Sequence, residues 1–381
     1  MPVIEKRKFM EAAPIGRIAN SEMKTRWWMH RDQKIANVVT DTNAYNRRSY
    51  QSSLYLADSV NLHDDSFVCC PGSHRWADAD GWVSSSDRQH VSVPASDPRV
   101  QAVVSKLIVK KGEMVVWDSR LAHMGGYLAE CSTKQPNSTC TVRMLRLDPQ
   151  EWQDTVAIKL ALETDGVVLI KDVANTSEMD SVKEQLRLDI ASIYAVEPRA
   201  DWKSYASETY GRTSKGGGSW GAVCCSQAVW NARLLPRRVA VFKSILDHED
   251  LVVSIDSVHW SVGHPRLSVM ASFCRRDCRP DDAYKIKCVA QAYGLTRTTH
   301  WAHAGDVSGF NYGADRDSKP QARLDAISSQ WRGFGCKMRC GLPDASKVSV
   351  KGLKKFMNDV AKSMTRDEAT ALHEPEVCRW L

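Results

Sequence analysis

The stretch from Trp27 to Leu147 constrains this chain most, because its apolar residues come in short runs. Ser53–Ala57, Ser66–Cys70, Lys106–Val109 and Met114–Trp117 are each bounded by Pro, Gly, Asp or Ser. Runs of this length, rich in residues that suit a pleated surface and closed by turn formers, read as β-strands. Many short strands separated by turns argue for an antiparallel sandwich or barrel.

The pattern then changes. Gly166–Ile170 reads as a strand, followed by a helix capped near Thr176 or Ser177, in which Met179, Val182, Leu186, Ile190 and Ile193 recur at helical spacing. Pro236–Leu246 predicts a second helix with Val239, Phe242 and Leu246 on one face, and Leu251–Ile255 predicts another strand. Near the end, Val350, Leu353, Phe356, Met357, Val360 and Met364 form an apolar stripe, with Lys351, Lys354, Lys355 and Lys362 off it. That is an amphipathic helix docked on a domain. The expected class is mainly β with flanking helices (α+β), the helices packed outside an antiparallel sandwich or barrel.

Composition excludes several alternatives. With 381 residues, 43% hydrophobic and 25% charged, the chain can bury a sizeable core and does not read as fibrous or disordered. The net charge of +7 is spread among acids, so no nucleic-acid partner is expected, while small anionic substrates remain compatible with it. Charged residues from Glu5 to Lys8 stand where a secretory signal needs an apolar run. No run of about 18 apolar residues occurs, so membrane insertion is not expected. The C-terminal Arg379-Trp380-Leu381 does not match the peroxisomal Ser-Lys-Leu address. These observations predict a cytoplasmic protein whose twelve cysteines are reduced, mostly buried thiols. The Cys274/Cys278 and Cys336/Cys340 pairs are spaced more widely than a zinc ribbon's and leave a zinc interaction module as the weakest reading. Gly216-Gly217-Gly218 lacks the Lys-Ser/Thr pair of a phosphate loop, and reads as a flexible loop.

Chemistry enters through His-x-Asp. On a strand, residues two apart face the same way, so one such pair offers an imidazole and a carboxylate to a metal, and a remote His completes the facial triad of a non-haem iron site. Three pairs occur, His30/Asp32, His63/Asp65 and His248/Asp250. The second lies in a polar turn and the third closes the helix ending near Leu246, where turn geometry accounts for them. His30/Asp32 follows Trp27 and Trp28, whose bulk could wall a pocket.

Four segments then occur in a telling order: Trp27–Gln33, Tyr55–Asp58, Pro71-Gly72-Ser73-His74-Arg75, and Gly112–His123 with its core Trp117-Asp118-Ser119-Arg120. In this order they resemble the phytanoyl-CoA dioxygenase family of iron(II)/2-oxoglutarate-dependent oxygenases. The resemblance implies a double-stranded β-helix, the cupin-like jelly roll, in which His30, Asp32 and His123 bind iron(II). It gives His74 a role in shaping its loop. It also implies an arginine that pairs bidentately with the far carboxylate of 2-oxoglutarate, for which Arg266 is preferred to Arg143. The implied activity is hydroxylation of a C–H bond in a small-molecule or lipid-like substrate, with release of succinate and carbon dioxide; ascorbate can accompany the iron as an auxiliary reductant.

The segment order departs from the family's. Residues from about Leu160 to Asp256 resemble the family's N-terminal part yet follow the metal motifs. The expectation is an N-terminal arm over residues 1–26 and one composite oxygenase domain over 27–335. That domain comprises metal motifs in 27–149, the N-terminal-like part in 150–258 and a C-terminal-like part in 264–335; residues 336–381 form a helical extension. The altered order also gives weight to a rival, a non-catalytic jelly-roll binding protein descended from such an oxygenase.

Overall fold

A computed structural model describes residues 29–33, 49–60, 64–77, 82–84, 91–126, 155–194, 196–198, 218–220, 223–224, 226–256, 258–260, 267–292 and 353–373. They form an α+β architecture of helices and two antiparallel sheets. The chain divides into two compact units, Met1–Ser52 with Ala57–Val173, and Ser53–Leu56 with Ala174–Leu381.

The first unit holds β1 (His30–Arg31), the start of β2 (Tyr50–Tyr55), β3 (Ser66–Cys69), β4 (Val83–Ser84) and β5 (Val91–Ser92). After these come α1 (Pro98–Val103), β6 (Ser105–Lys106), β7 (Met114–Asp118), β8 (His123–Gly126), α2 (Thr155–Thr164) and β9 (Val167–Ile170). Six strands make one sheet in the order β4-β5-β1-β8-β3-β6. Alternation gives this sheet two different faces. On one, Met29, Val68, Cys70, Ala122 and Met124 join Val93 and Val100 in an apolar cluster, edged by Trp76 and Trp82. Arg31 is also buried and lies over Trp82 at 4.3 Å, its guanidinium donating to the carbonyls of Ser73 at 2.5 Å and Trp76 at 3.0 Å. The opposite face is left for His30, Phe67, Cys69 and His123. Helix α1 starts where Asp97 accepts from the Arg99 amide and Pro98 fills the first helical position, which needs no N–H.

β7 and β9 pair antiparallel from Met114↔Ile170 to Trp117↔Val167. Between α2 and β9 the chain turns at Gly166, whose φ of +73° favours glycine. There is no room for a side chain at this turn, because a Cβ would lie 2.4 Å from His74 Nδ1.

The second unit contains α3 (Thr176–Tyr194), β10 (Gly218–Trp220), α4 (Gln227–Arg233), α5 (Pro236–Leu246), β11 (Leu251–Val253), β12 (Val258–Trp260) and β13 (Leu267–Arg275). It ends with α6 (Asp281–Ala292), α7 (Leu353–Ser363) and α8 (Arg366–Thr370). The cap of α3 falls one residue before the expected position: Asn175 Oδ1 accepts from the Glu178 amide at 2.8 Å while Glu178 Oε2 accepts from the Asn175 amide at 2.7 Å. Met179, Val182, Leu186 and Ile190 are buried as their spacing predicts. Gly218, expected in a flexible loop, instead opens a strand paired with Trp260.

β12 and β11 follow one another along β13, with Val258↔Val269 in one ladder and Val253↔Phe273 in the other. The registers of the two ladders differ by one residue. Helix α7 buries Met357, Val360 and Ala361 and packs on α6, while Lys355 is exposed. The amphipathic stripe at the end of the chain thus has a partner.

Candidate metal centre

The centre begins with strand pairing. His30 of β1 stands directly across from His123 of β8, and their ring centroids are 4.6 Å apart. Asp32 lies in the bend just past the end of β1, and its side chain comes to the same place as those of His30 and His123. Its carboxylate meets both rings: Oδ1 lies 3.4 Å from His30 Nε2, and Oδ2 lies 3.4 Å from His123 Nε2. All three residues are buried, at 7%, 8% and 5% exposure for His30, Asp32 and His123.

These distances are longer than a charge-assisted N–H···O bond, which runs about 2.7–2.9 Å. They suit donors gathered round a common point: metal bonds of about 2.1 Å at right angles put neighbouring ligand atoms about 3 Å apart. One ligand atom from each residue lies within 4.8 Å of the other two.

Tautomer supports the same arrangement. His123 Nδ1 is 2.9 Å from the Leu121 carbonyl oxygen, which can only accept, so Nδ1 carries the proton and Nε2 presents its lone pair. A histidine fixed in this way is ready to bind a cation through Nε2. Two imidazoles and one carboxylate suit a divalent first-row metal, and the residues present fit iron(II).

The surrounding frame is polar on one side and aromatic on the other. Asp32 and Gln33 both donate their amides to the Ser119 carbonyl at 3.0 Å, and the Ser119 amide donates to the Ser49 carbonyl at 2.9 Å. Arg120 grips Asp118 through two guanidinium contacts of 2.8 and 2.7 Å, closing the turn between β7 and β8. Phe67 stacks on His123 at 5.4 Å and Trp117 lies against the same ring at 5.2 Å. Phe67 and Trp117 therefore provide an aromatic wall; Trp27 and Trp28, expected to wall a pocket, lie outside the described residues.

The other sequence candidates separate clearly. His248 Nδ1 lies 2.9 Å from the Asp250 carbonyl oxygen and 3.1 Å from the Asp250 amide nitrogen in the turn after α5, a local loop contact. His63 lies outside the described residues, as do both 2-oxoglutarate candidates, Arg266 and Arg143. His74 is buried and its Nε2 is 3.1 Å from the Glu163 carbonyl, the contact of a loop-shaping residue. Cys274 and Cys278 are buried cysteines that form no disulfide and, among the described residues, belong to no group able to hold a metal, whereas Cys336 and Cys340 lie outside the described residues.

Sequence reasoning missed Gln51. It is buried on β2 and donates from Nε2 to Asp32 Oδ2 at 2.7 Å and to Ser119 Oγ at 3.2 Å. No local motif marks it, because its partner is 19 residues earlier in the chain.

No helix of the described residues is long and apolar enough to cross a membrane. Comparisons with protein-family models, curated proteins and solved structures find no match to this chain.

Proposed function

We propose that this chain is an iron(II)- and 2-oxoglutarate-dependent oxygenase resembling the phytanoyl-CoA dioxygenase family, built on a double-stranded β-helix. The observation that carries the reading is the meeting of His30, Asp32 and His123, two of them paired across neighbouring strands and the third two residues along. Two neutral imidazoles and one carboxylate take up one side of a cation and leave the other side for small ligands. Bound there, iron(II) would supply dioxygen activation coupled to oxidative decarboxylation of 2-oxoglutarate, hydroxylating a C–H bond and releasing succinate and carbon dioxide.

The chain's own residues give this chemistry its setting. The Leu121 carbonyl fixes His123 with its Nε2 lone pair inward, Gln51 and Ser119 restrain Asp32, and Phe67 and Trp117 keep one side of His123 dry. An arginine fork, Arg266 in preference to Arg143, would anchor the far carboxylate of 2-oxoglutarate. The substrate in this proposal is a small or lipid-like molecule met in the cytoplasm, with no role for nucleic acid or membrane insertion.

The test is succinate formation from 2-oxoglutarate in air, with iron(II) and ascorbate present. Succinate above the iron-only background, lost in Asp32→Ala, supports the proposal. A folded native chain that forms none, even with candidate substrates added, favours a binding protein that kept the fold without the reaction.

A further inference from the structure

We propose that Gln51 is a positioning residue that makes Asp32 a one-oxygen metal ligand: by engaging Oδ2 it sets the orientation in which the carboxylate meets the cation through Oδ1. This inference rests on the metal-centre reading above.

The assignment of the Gln51 amide follows from its partner. An ionised carboxylate can only accept, so the nitrogen must face Asp32, and at 2.7 Å it does so at the distance of a charge-assisted hydrogen bond. The same nitrogen reaches Ser119 Oγ at 3.2 Å. Ser119 in turn takes the Asp32 amide on its carbonyl, so backbone and carboxylate of Asp32 are tied to the same residue by separate routes. Rotation of the carboxylate breaks the Gln51 bond, and displacement of the strand breaks the Ser119 bond. The ligand is held in both respects before a metal arrives.

A packing role does not explain this glutamine. Its Oε1 is buried with no hydrogen-bond partner among the described residues, which an apolar side chain of similar volume would avoid. A fold that tolerates an unsatisfied acceptor beside a donor to the ligand carboxylate retains the amide for that donor. Outer partners of this kind orient metal ligands, and their loss typically weakens metal affinity by about 10–100-fold.

Cobalt(II) serves as the probe, titrated into the metal-free full chain and followed by its d–d absorption, with circular dichroism to establish the fold. Gln51→Met keeps the volume without either polar group, Gln51→Glu keeps the shape but has no donor when ionised, and Gln51→Asn is too short to reach. The expected result is a dissociation constant raised about 10–100-fold in each folded variant. A changed band envelope is also expected as Oδ2 becomes free to join the metal. A purely structural role would shift the melting temperature of the metal-free protein and leave the spectrum alone. Native affinity with an unchanged spectrum in any folded variant overturns the inference while the metal centre stands. If native chain and Asp32→Ala bind cobalt(II) alike, or neither binds, the metal-centre reading fails and this inference with it.

Discussion

Gly166→Ala tests how tightly the turn before β9 is built against the loop that carries His74. Two costs combine. Gly166 has φ +73°, and a left-handed conformation costs a non-glycine residue about 1–2 kcal/mol. The new Cβ would also sit 2.4 Å from His74 Nδ1, 2.9 Å from its Cγ and 3.0 Å from Leu121 Cδ1. His74 is buried and bonded through Nε2 to the Glu163 carbonyl, so its ring cannot swing away without losing that contact. Overpacking of this kind costs about 1–3 kcal/mol, and the lost hydrogen bond about 1 kcal/mol more. The expected total is about 3–6 kcal/mol.

Gly72 is the internal control. Its φ is +78°, but a Cβ there would meet nothing closer than 3.7 Å, so Gly72→Ala should cost only the conformational part, about 1–2 kcal/mol. Chemical denaturation of the two variants side by side measures the difference. His74→Ala in the Gly166→Ala background should recover about 2 kcal/mol of the loss, because removing the ring removes the clash. Equal losses for the two glycines, or strict additivity with His74→Ala, would refute the reasoning.

In the second unit, burial pushes His373 down to about 4 while its Nε2–H donates to the Cys288 carbonyl at 2.8 Å. A depressed folded pKa means that the unfolded state takes up the proton first. This contribution is therefore complete above about pH 6.5 and lost as pH falls toward 4, amounting to about 3 kcal/mol. His373→Gln should flatten that part of the stability profile, and an unchanged acid limb would contradict the assignment. Burial also holds Lys287 well below its ordinary pKa, with Arg279 the next cause. Lys287→Met removes that desolvation and should stabilise the chain by about 1 kcal/mol or more in denaturant titration. A destabilised variant would mean that the amine makes contacts worth more than its burial costs.

The legible parts of this chain are those governed by local pattern. The period of α3, Pro236 at the start of α5 and the β-rich run of Met114–Trp117 each declare an element through residues close in sequence. His30 and Asp32 were legible as a pair because only one residue separates them in the sequence. Their meeting with His123 was not written locally; the order of flanking motifs pointed to it, and the β1–β8 register provides it. Helix α2 escaped notice because Val156 and Leu160 on it are exposed, which blurs its apolar period. Gln51 and Arg31 were silent for a different reason. One is recruited by the Asp32 carboxylate and the other by Trp82 and two distant carbonyls, contacts that only tertiary structure creates.

The most direct measurement is anaerobic addition of iron(II) and then 2-oxoglutarate to the full chain, followed by the visible charge-transfer band of the chelate. Native protein should develop the band, and His30→Ala, Asp32→Ala and His123→Ala, each shown to be folded, should not. A folded native chain without the band, or a band that survives all three substitutions, would contradict the assignment of this site.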